Sequence, residues 1–247
     1  MFEASVPVST VLNVIDSVGV LVDECRMRIE ADGLVIRAAD PAVVAMVDVS
    51  LQAEAFETYE ADGRTLGINL ARLSEVLSVA EADDVLHLEL NEDRRTLQAE
   101  IGSLSYTLGL IDPETIREEP DIPDLDAPAE IVLGADHLDR GITAADMVAD
   151  QLRLRLDDTA ETFFIEAEGD TDDVQIEIPD EQLTSLSPGT ADSLFSLDYL
   201  KEMNRAIPNE ADVRIDLGEE FLLSLQYTFD NADPKVAYRL APRIQST

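Results

Sequence analysis

Cysteine and histidine are scarce in this 247-residue chain, and each scarcity excludes a class of site. The single cysteine, Cys25, cannot form an internal disulfide or, alone, a thiolate zinc site. It alternates with Met27 and Ile29, which predicts a small core residue rather than a nucleophile. The two histidines, His87 on a predicted strand and His137 early in a predicted helix, are expected to be exposed. The sequence therefore offers no pairing of a nucleophile with a base.

Long hydrophobic runs and nucleotide-binding loops are also missing. No stretch of about 18 apolar residues occurs, and the first residues lack a basic signal region. We therefore expect a cytoplasmic protein. There is no Walker-type loop and no GxGxxG after a strand. The acidic cluster GDTDD at 169–173 lacks the glycine and terminal glutamate spacing of a calcium loop. No catalytic residue, metal site or cofactor is predicted.

Positive charge is the third scarcity. The chain has 53 acidic and 17 basic residues, a formal net charge of −36, and its lysines are Lys201 and Lys235. Such self-repulsion destabilises a compact state in dilute buffer, but in roughly 1 M salt the Debye length falls to about 3 Å. The acid is spread along the chain rather than collected in a tail. This favours adaptation to a salt-rich cytoplasm over an acidic nucleic-acid mimic or cation-binding protein.

A half-length repeat organises what is present. When Val6 is set above Leu133, an offset of 127 residues, apolar positions coincide through both segments. The matched pairs are Val11 with Leu138, Ile15 with Ile142, Leu21 with Val148, Cys25 with Leu152, Met27 with Leu154, and Ile29 with Leu156. A second matched segment sets Leu70, Leu73, Val76 and Val79 above Leu197, Leu200, Met203 and Ala206. Beyond it, one inserted residue near Pro208 is expected to align Val85 with Val213.

Each half contains two helix-period segments, each followed by strands of period two. This predicts an α+β protein of two similar domains, each with two helices packed on antiparallel sheet. We place an N-terminal domain at 1–117, a connecting loop at 118–131 and a C-terminal domain at 132–247. Prolines 120, 123 and 128 forbid helix interior and central strand in the loop. Ile122 and Leu125 are apolar residues that a mere tether does not need.

This organisation resembles the sliding clamps of the proliferating cell nuclear antigen family over essentially the whole chain. The motifs that carry the resemblance are DGLVIRAADPAVVAMVDVSL at 32–51, INLARL at 68–73, YTLGLID at 106–112, DIPDLD at 121–126 and LAPRI at 240–244. The acidic, lysine-poor composition is similar to clamps of halophilic archaea. The resemblance implies a DNA-clamp fold and a homotrimeric ring that encircles double-stranded DNA. It further implies a nucleoid-associated processivity factor for DNA polymerases, not an enzyme.

The same resemblance implies partners and a pocket for them. Expected partners are the clamp loader replication factor C, DNA polymerases, flap endonuclease, DNA ligase and other proteins with a short motif called the PIP-box. The pocket residues carried over are Ala39, Val44, Met46, Ile122, Pro123, Leu125, Leu240, Ala241, Pro242, Arg243 and Ile244. Without the family match, LAPRI would be read as an ordinary closing strand. Arg239 stands where many family members carry an aromatic residue.

Two further surfaces follow from the resemblance. Arg72, Arg140, Lys201 and Arg205 are the candidates for phosphate contact in the ring's hole, although each is equally well explained as a solvated helix residue. Tyr106, Leu108, Val174, Ile176 and Ile178 are the candidates for the trimer interface, although internal sheet pairing explains any one of them equally well. Cations bridging carboxylates to phosphates are a further hypothesis. An acidic interaction module or nucleic-acid mimic, and a cation-dependent enzyme, are the alternative functions.

Overall fold

The computed structural model describes residues 1–120, 126–157, 159, 161–229 and 234–244. The chain divides into two compact units. The first comprises Met1–Pro41, Val47–Pro120 and Phe229–Val236, and the second comprises Ala42–Met46, Asp121–Thr228 and Ala237–Thr247. The α+β class predicted from the sequence is confirmed, because each unit carries two α-helices and antiparallel strands.

Between Met1 and Pro120 the structure describes nine strands and two helices, all in the first unit except the first two residues of β4. In chain order these are β1 (Phe2–Pro7), α1 (Val8–Gly19), β2 (Glu24–Glu30), β3 (Gly33–Ala39), β4 (Ala45–Gln52), β5 (Thr58–Ala61), β6 (Arg64–Asn69), α2 (Leu70–Leu77), β7 (Val85–Asn91), β8 (Thr96–Ile101) and β9 (Leu104–Gly109). Single turns of 3-10 helix lie at Ala53–Ala55 and Pro113–Thr115. The strands follow the orders β5-β1-β7-β8-β9 and β4-β3-β2-β6.

The second unit repeats this plan. Its elements are β10 (Ala129–Gly134), α3 (Ala135–Ala145), β11 (Gln151–Asp157), β12 (Thr162–Glu168), β13 (Asp173–Pro179), β14 (Ser185–Ser187), β15 (Ala191–Ser196), α4 (Leu197–Ala206), β16 (Asp212–Leu217), β17 (Leu223–Thr228) and β18 (Lys235–Leu240). A 3-10 turn lies at Asp180–Gln182. The strand orders are β14-β10-β16-β17-β18 and β13-β12-β11-β15, which match those of the first unit position by position.

Alternation of apolar and polar residues explains the strands, and a 3.6-residue period explains the helices. In β2, Cys25, Met27 and Ile29 are buried while the residues between them face outward. In α1, the apolar stripe that includes Val11 and Val18 is buried. Apolar burial of this kind contributes about 25 cal/mol per Å² removed from water. In each unit the two helices therefore pack against each other and against the strands of that unit, and they form its helix layer.

The offset of 127 residues is confirmed by the element boundaries. Helices α1 and α3 begin at Val8 and Ala135, and α2 and α4 begin at Leu70 and Leu197. The prediction of an inserted residue near Pro208 is wrong. Strand β1 sets Val6 opposite Leu86, and β10 sets Leu133 opposite Val213, so the same offset continues through both pairs. The apparent insertion arose because Val85 is apolar but only half-buried, whereas Leu86 and Val213 are the buried equivalents.

Gly33 is required at the turn between β2 and β3. Its φ is +145°, and a Cβ there would lie 2.2 Å from the carbonyl oxygen of Leu51. Any larger residue would push β4 away from β3. No helix in the described part of the chain is both long and apolar enough to cross a membrane.

Candidate functional site

The four basic residues expected to contact phosphate lie on the helices, as predicted. Arg72 is in the first turn of α2, Arg140 is on α3, and Lys201 and Arg205 are on α4. Helix α2 begins at an Asn69 cap, whose side-chain oxygen accepts a 2.9 Å hydrogen bond from the backbone N–H of Arg72. Arg72 and Arg140 are exposed.

Three of these four basic groups are already paired with carboxylates. Arg72 Nη1 lies 3.0 Å from Glu75 Oε2, and Arg205 Nη1 lies 2.6 Å from Glu202 Oε2. Lys201 Nζ lies 2.7 Å from Asp146 Oδ1, at the C-terminal end of α3. Arg140 forms no ion pair with any residue that the structure describes. The helix layers of the two units are therefore not positive patches, because most of their basic charge is neutralised by a neighbouring carboxylate.

Acidic residues outnumber basic ones on this layer. The carboxylates carried by the four helices are Asp16, Glu75, Asp136, Asp139, Asp198 and Glu202. Partial burial raises the pKa of Asp16 above its ordinary value. Since a phosphate backbone is attracted by basic groups, this composition supplies little non-specific DNA affinity.

Two polar contacts also tie α3 to α4. One is the pair of Lys201 and Asp146, and the other is a 2.8 Å hydrogen bond that Asn204 Nδ2 donates to Asp139 Oδ1. Lys201 and Asn204 lie three residues apart on one face of α4. The basic side chain that the sequence assigns to DNA therefore also has a local structural partner.

The C-terminal segment forms the second candidate surface, within the second unit. The backbone N–H of Ala241 donates a 2.9 Å hydrogen bond to the carbonyl oxygen of Val44, and that of Arg243 donates a 2.7 Å bond to the carbonyl oxygen of Leu194. Arg243 Nη2 also lies 3.5 Å from Ser196 Oγ. The tail after β18 is thus held in a defined extended path as far as Arg243.

Burial separates the predicted pocket residues of this unit into two groups. Met46 and Leu240 are buried, so their side chains support the surface from below. Val44, Ala241 and Pro242 are half-buried, while Arg243 is exposed and Ile244 is 80% exposed. The second group is the part that a bound peptide can touch.

Val43, which sequence reasoning missed, adds an apolar side chain beside Val44. It is exposed and adopts a positive φ of 57°. This conformation is unfavourable for a β-branched residue, so the turn that presents Val43 is strained. The Asp-Pro at 40–41 signals a turn, but no sequence pattern places a positive φ at Val43.

Ala39 and the start of the connecting loop belong to the first unit. Ala39 lines a pocket of about 530 Å³ together with Thr115, Ile116 and Arg117, which precede the connecting loop. Arg28 forms an ion pair with Glu119, and Arg117 Nη1 donates a 2.9 Å hydrogen bond to the Pro41 carbonyl oxygen.

Glu119 therefore ties the first residues of the loop to β2, and Arg117, just before the loop, is tied to the turn that follows β3. The other predicted loop contacts, Ile122, Pro123 and Leu125, lie outside the described residues.

The predicted trimer-interface residues lie on two strands that end their sheets, β9 and β13. Tyr106 on β9, and Val174 and Ile176 on β13, are half-buried. Leu108 and Ile178 are 3% and 1% exposed, so they belong to the cores of their own units. In the described part of the chain each of these strands pairs on one side, which leaves its outer backbone groups available to another strand.

The groups with catalytic potential are dispersed. Cys25 is buried, and desolvation raises the pKa of its thiol to about 12. His87 is exposed, with its Nδ1 2.8 Å from Ser5 Oγ. His137 is half-buried, contrary to the expectation of an exposed side chain. Within the described ranges, no three histidine, cysteine or acidic side chains are grouped to hold a metal ion.

Comparison with known proteins gives related sequences over the full chain. The family model described as "Proliferating cell nuclear antigen, N-terminal domain" matches residues 1–105. A DNA polymerase sliding clamp of Natronomonas pharaonis is 52% identical over 246 residues, with 100% of both chains covered. The DNA polymerase sliding clamp of Haloarcula marismortui is 53% identical over 246 residues, again with 100% of both chains covered.

Solved structures give the same fold. A. fulgidus PCNA, in a complex with the C-terminal region of FEN-1, matches with a TM-score of 0.94 and 35% identity over 100% of both chains. PCNA from Thermococcus kodakaraensis matches with a TM-score of 0.89 and 26% identity, covering 98% of this chain and 100% of that one.

Proposed function

The chain belongs to the proliferating cell nuclear antigen family of DNA polymerase sliding clamps, and on that premise we propose that three copies close into a ring around duplex DNA. The ring tethers DNA polymerases and other replication and repair enzymes to the duplex. It is a processivity factor without catalytic activity of its own. Tethering acts by raising the local concentration of each client at its substrate.

The observation that carries this proposal is that the chain contains two similar units, and that each has a strand at the end of a sheet with one side unpaired among the described residues. The two units share one strand order, and β9 and β13 end their sheets. Pairing β9 of one copy with β13 of the next gives a head-to-tail contact, which closes into a ring when the rotation permits. Tyr106 and Leu108 on β9, and Val174, Ile176 and Ile178 on β13, lie along this joint. Leu108 and Ile178 take part through their backbone, since their side chains are buried in their own units.

In this proposal the clamp stays on DNA because the ring encircles the duplex, and not because its surface binds DNA tightly. The helix layer carries six carboxylates and four basic residues, and three of the basic residues are paired. Arg72, Arg140, Lys201 and Arg205 remain the phosphate contacts, and cations bridge carboxylates to phosphates where basic groups are lacking. In concentrated salt such a ring loses little by lacking lysines, because counterion release weakens as salt rises.

Clients bind through PIP-box motifs at the tail surface. One structural neighbour is described as bound to the C-terminal region of FEN-1. By analogy this chain receives flap endonuclease, DNA polymerases, DNA ligase and the clamp loader replication factor C. The pocket is formed by the tail 240–244, by Ala39, Val44 and Met46, and by Ile122, Pro123 and Leu125 of the loop.

The remaining assignments complete the proposal. The N-terminal clamp domain spans 1–117, the connecting loop 118–131 and the C-terminal clamp domain 132–247. The protein works in the cytoplasm, associated with the nucleoid. Its charge of −36 suits a salt-rich interior, and the sequences 52% and 53% identical to it are from Natronomonas and Haloarcula.

The experiment that tests the ring is the solution mass by light scattering in roughly 2 M KCl, where the Debye length is below about 3 Å, and again in dilute buffer. A mass near three times 27.1 kDa in high salt supports the ring. A monomer at every salt and protein concentration would contradict the ring and would favour the alternative function, an acidic interaction module.

A further inference from the structure

Most basic residues of this chain have a carboxylate partner among the described residues, and those without one there are unevenly placed. Eleven of the 17 form ion pairs within 4 Å among the described residues. The remaining six are Arg94, Arg117, Arg140, Lys235, Arg239 and Arg243. Three of these six fall between Lys235 and Ile244. In a chain with 53 acidic residues, a basic side chain that has no carboxylate partner among the described residues remains available to a negative group from outside.

Arg239 has the most informative position of the three. Strand β18 alternates, so that Val236, Tyr238 and Leu240 are buried and the residues between them face the other side. Arg239 is half-buried on that second side, two residues before Ala241. Its guanidinium makes no hydrogen bond and no ion pair with any described residue. Five N–H donors on a half-buried group are therefore left to water or to a ligand.

Arg243 follows the two apolar residues Ala241 and Pro242. Its backbone is fixed by the bond to Leu194, while its side chain is exposed and reaches the hydroxyl of Ser196 rather than a carboxylate. Ala241 and Pro242 are thus flanked along the chain by two arginines that form no ion pair with any residue the structure describes. This pattern differs from the helix layer, where the basic residues are mostly paired.

We propose that Arg239 is a specificity residue of the client pocket and that it selects peptides with an acidic side chain next to their apolar anchor, with Arg243 assisting at the exposed end. This inference rests on the proposed function of the tail as a client pocket. The occupant is an acidic client peptide. A carboxylate can accept two parallel hydrogen bonds from one guanidinium, which neither a methionine nor an aromatic residue at this position can donate.

The net charge of the clamp explains why a short-range contact between Arg239 and a client carboxylate is needed. At −36 the surface repels an acidic partner, and long-range attraction is lost in roughly 1 M salt, where the Debye length is about 3 Å. A contact at hydrogen-bond distance, on a half-buried guanidinium, is the kind of electrostatic interaction that survives these conditions. It contributes to specificity more than to overall affinity.

The test compares two fluorescent PIP-box peptides that differ at one position beside the apolar anchor, Glu in one and Gln in the other. Their dissociation constants are measured by anisotropy in roughly 2 M KCl, where only short-range electrostatics remain. The full-length protein, Arg239→Met, Arg239→Lys and Lys235→Met are compared. Lys235→Met is the matched control, since it removes a positive charge from the same face of β18 outside the pocket.

We expect the wild-type protein to prefer the Glu peptide by about fivefold, as one charge-assisted bond allows. In Arg239→Met the ratio of the two affinities falls to about one, Arg239→Lys retains part of the preference, and Lys235→Met retains all of it. Circular dichroism in the same buffer verifies folding of each variant.

Equal binding of the two peptides by the wild-type protein, or a preference that survives in Arg239→Met, would overturn the role of Arg239 while leaving the client pocket intact. If neither peptide binds the wild-type protein, the client pocket itself fails, and the inference fails with it.

Discussion

Lys201 Nζ lies 2.7 Å from Asp146 Oδ1, so the one lysine on the four helices forms an ion pair with a carboxylate at the end of the neighbouring helix. The pair is partly exposed, with side-chain exposures of 32% and 48%. Exposed pairs of this kind contribute little to stability, about 0 to 1 kcal/mol. Its larger consequence is electrostatic, because it removes a positive charge from the layer assigned to DNA.

Removing that carboxylate should strengthen DNA contact. In Asp146→Asn the Lys201 ammonium is released, and affinity for a short linear duplex is expected to rise. The dependence of log K on log salt should steepen by about 0.9 for each additional phosphate neutralised. The measurement is fluorescence anisotropy of a labelled duplex over a series of KCl concentrations.

Asp93→Asn is the matched control, because Asp93 is an exposed carboxylate in the turn between β7 and β8. It changes the net charge equally but lies away from the helices. An equal gain of affinity in both variants would mean that only net charge matters, and the assignment of Lys201 to the DNA surface would be withdrawn.

Ile176→Lys should open the ring. The side chain is half-buried on β13, opposite Ile165 of β12, and strand β13 ends its sheet. A lysine there places a desolvated charge in the expected joint between copies. Light scattering in concentrated KCl should show a mass near 27.1 kDa in place of three times that value.

Gln175→Lys adds the same charge to the same strand on its exposed, opposite face, and should leave the mass unchanged. Tyr106→Lys on β9 should repeat the effect from the other side of the joint. Intact trimers in both Ile176→Lys and Tyr106→Lys would place the joint elsewhere.

Gly141→Ala should destabilise the second unit. A Cβ at Gly141 would lie 2.6 Å from Cδ1 and 2.8 Å from Cγ2 of Ile165, so α3 would be pushed off β12. Overpacking lowers the free energy of unfolding by about 1–3 kcal/mol, whereas the higher helix propensity of alanine raises it by about 1 kcal/mol. We expect a net loss in urea unfolding at constant KCl. Gly19→Ala, at the end of α1 with nothing within 4 Å, should be neutral or stabilising, and a larger loss there would contradict this account.

The Cys25 thiol should be inert in the native protein. Burial raises the pKa of this thiol to about 12, well above its ordinary value, so the reactive thiolate is nearly absent at neutral pH. Because the folded state holds the proton more tightly, stability from this group is complete below about pH 9 and is lost as the pH rises toward 12. Alkylation at pH 8 should proceed only at the rate of unfolding. Rapid labelling of native protein would refute the burial of Cys25.

The sequence was sufficient for the architecture. Apolar periodicity predicted two equivalent helices in each half at an offset of 127 residues, and the helices do begin 127 residues apart, because repeated units must bury equivalent positions to form equivalent cores. It could not place the register at Val85 and Val213, where a half-buried apolar residue resembles a buried one. Only the cross-strand partners Val6 with Leu86 and Leu133 with Val213 settle that alignment.

The candidate surfaces were less predictable, for physical reasons. The i,i+3 spacing of Arg72 with Glu75 and of Glu202 with Arg205 allows their pairing to be read from the sequence. The pairing of Lys201 with Asp146 joins two helices 55 residues apart and leaves no local pattern. The same holds for the contact of Arg243 with the Leu194 carbonyl oxygen, since backbone acceptors carry no sequence signature.

The most direct test of the central claim is retention on circular compared with linear DNA. The clamp is loaded by its clamp loader on nicked circular plasmid in concentrated KCl, the free protein is removed by gel filtration, and half of the sample is linearised. Topological encirclement predicts that the clamp stays on the circle and slides off the linear molecule within the same time. Equal retention on the two forms would show that adhesion holds the protein to DNA, and would contradict the account.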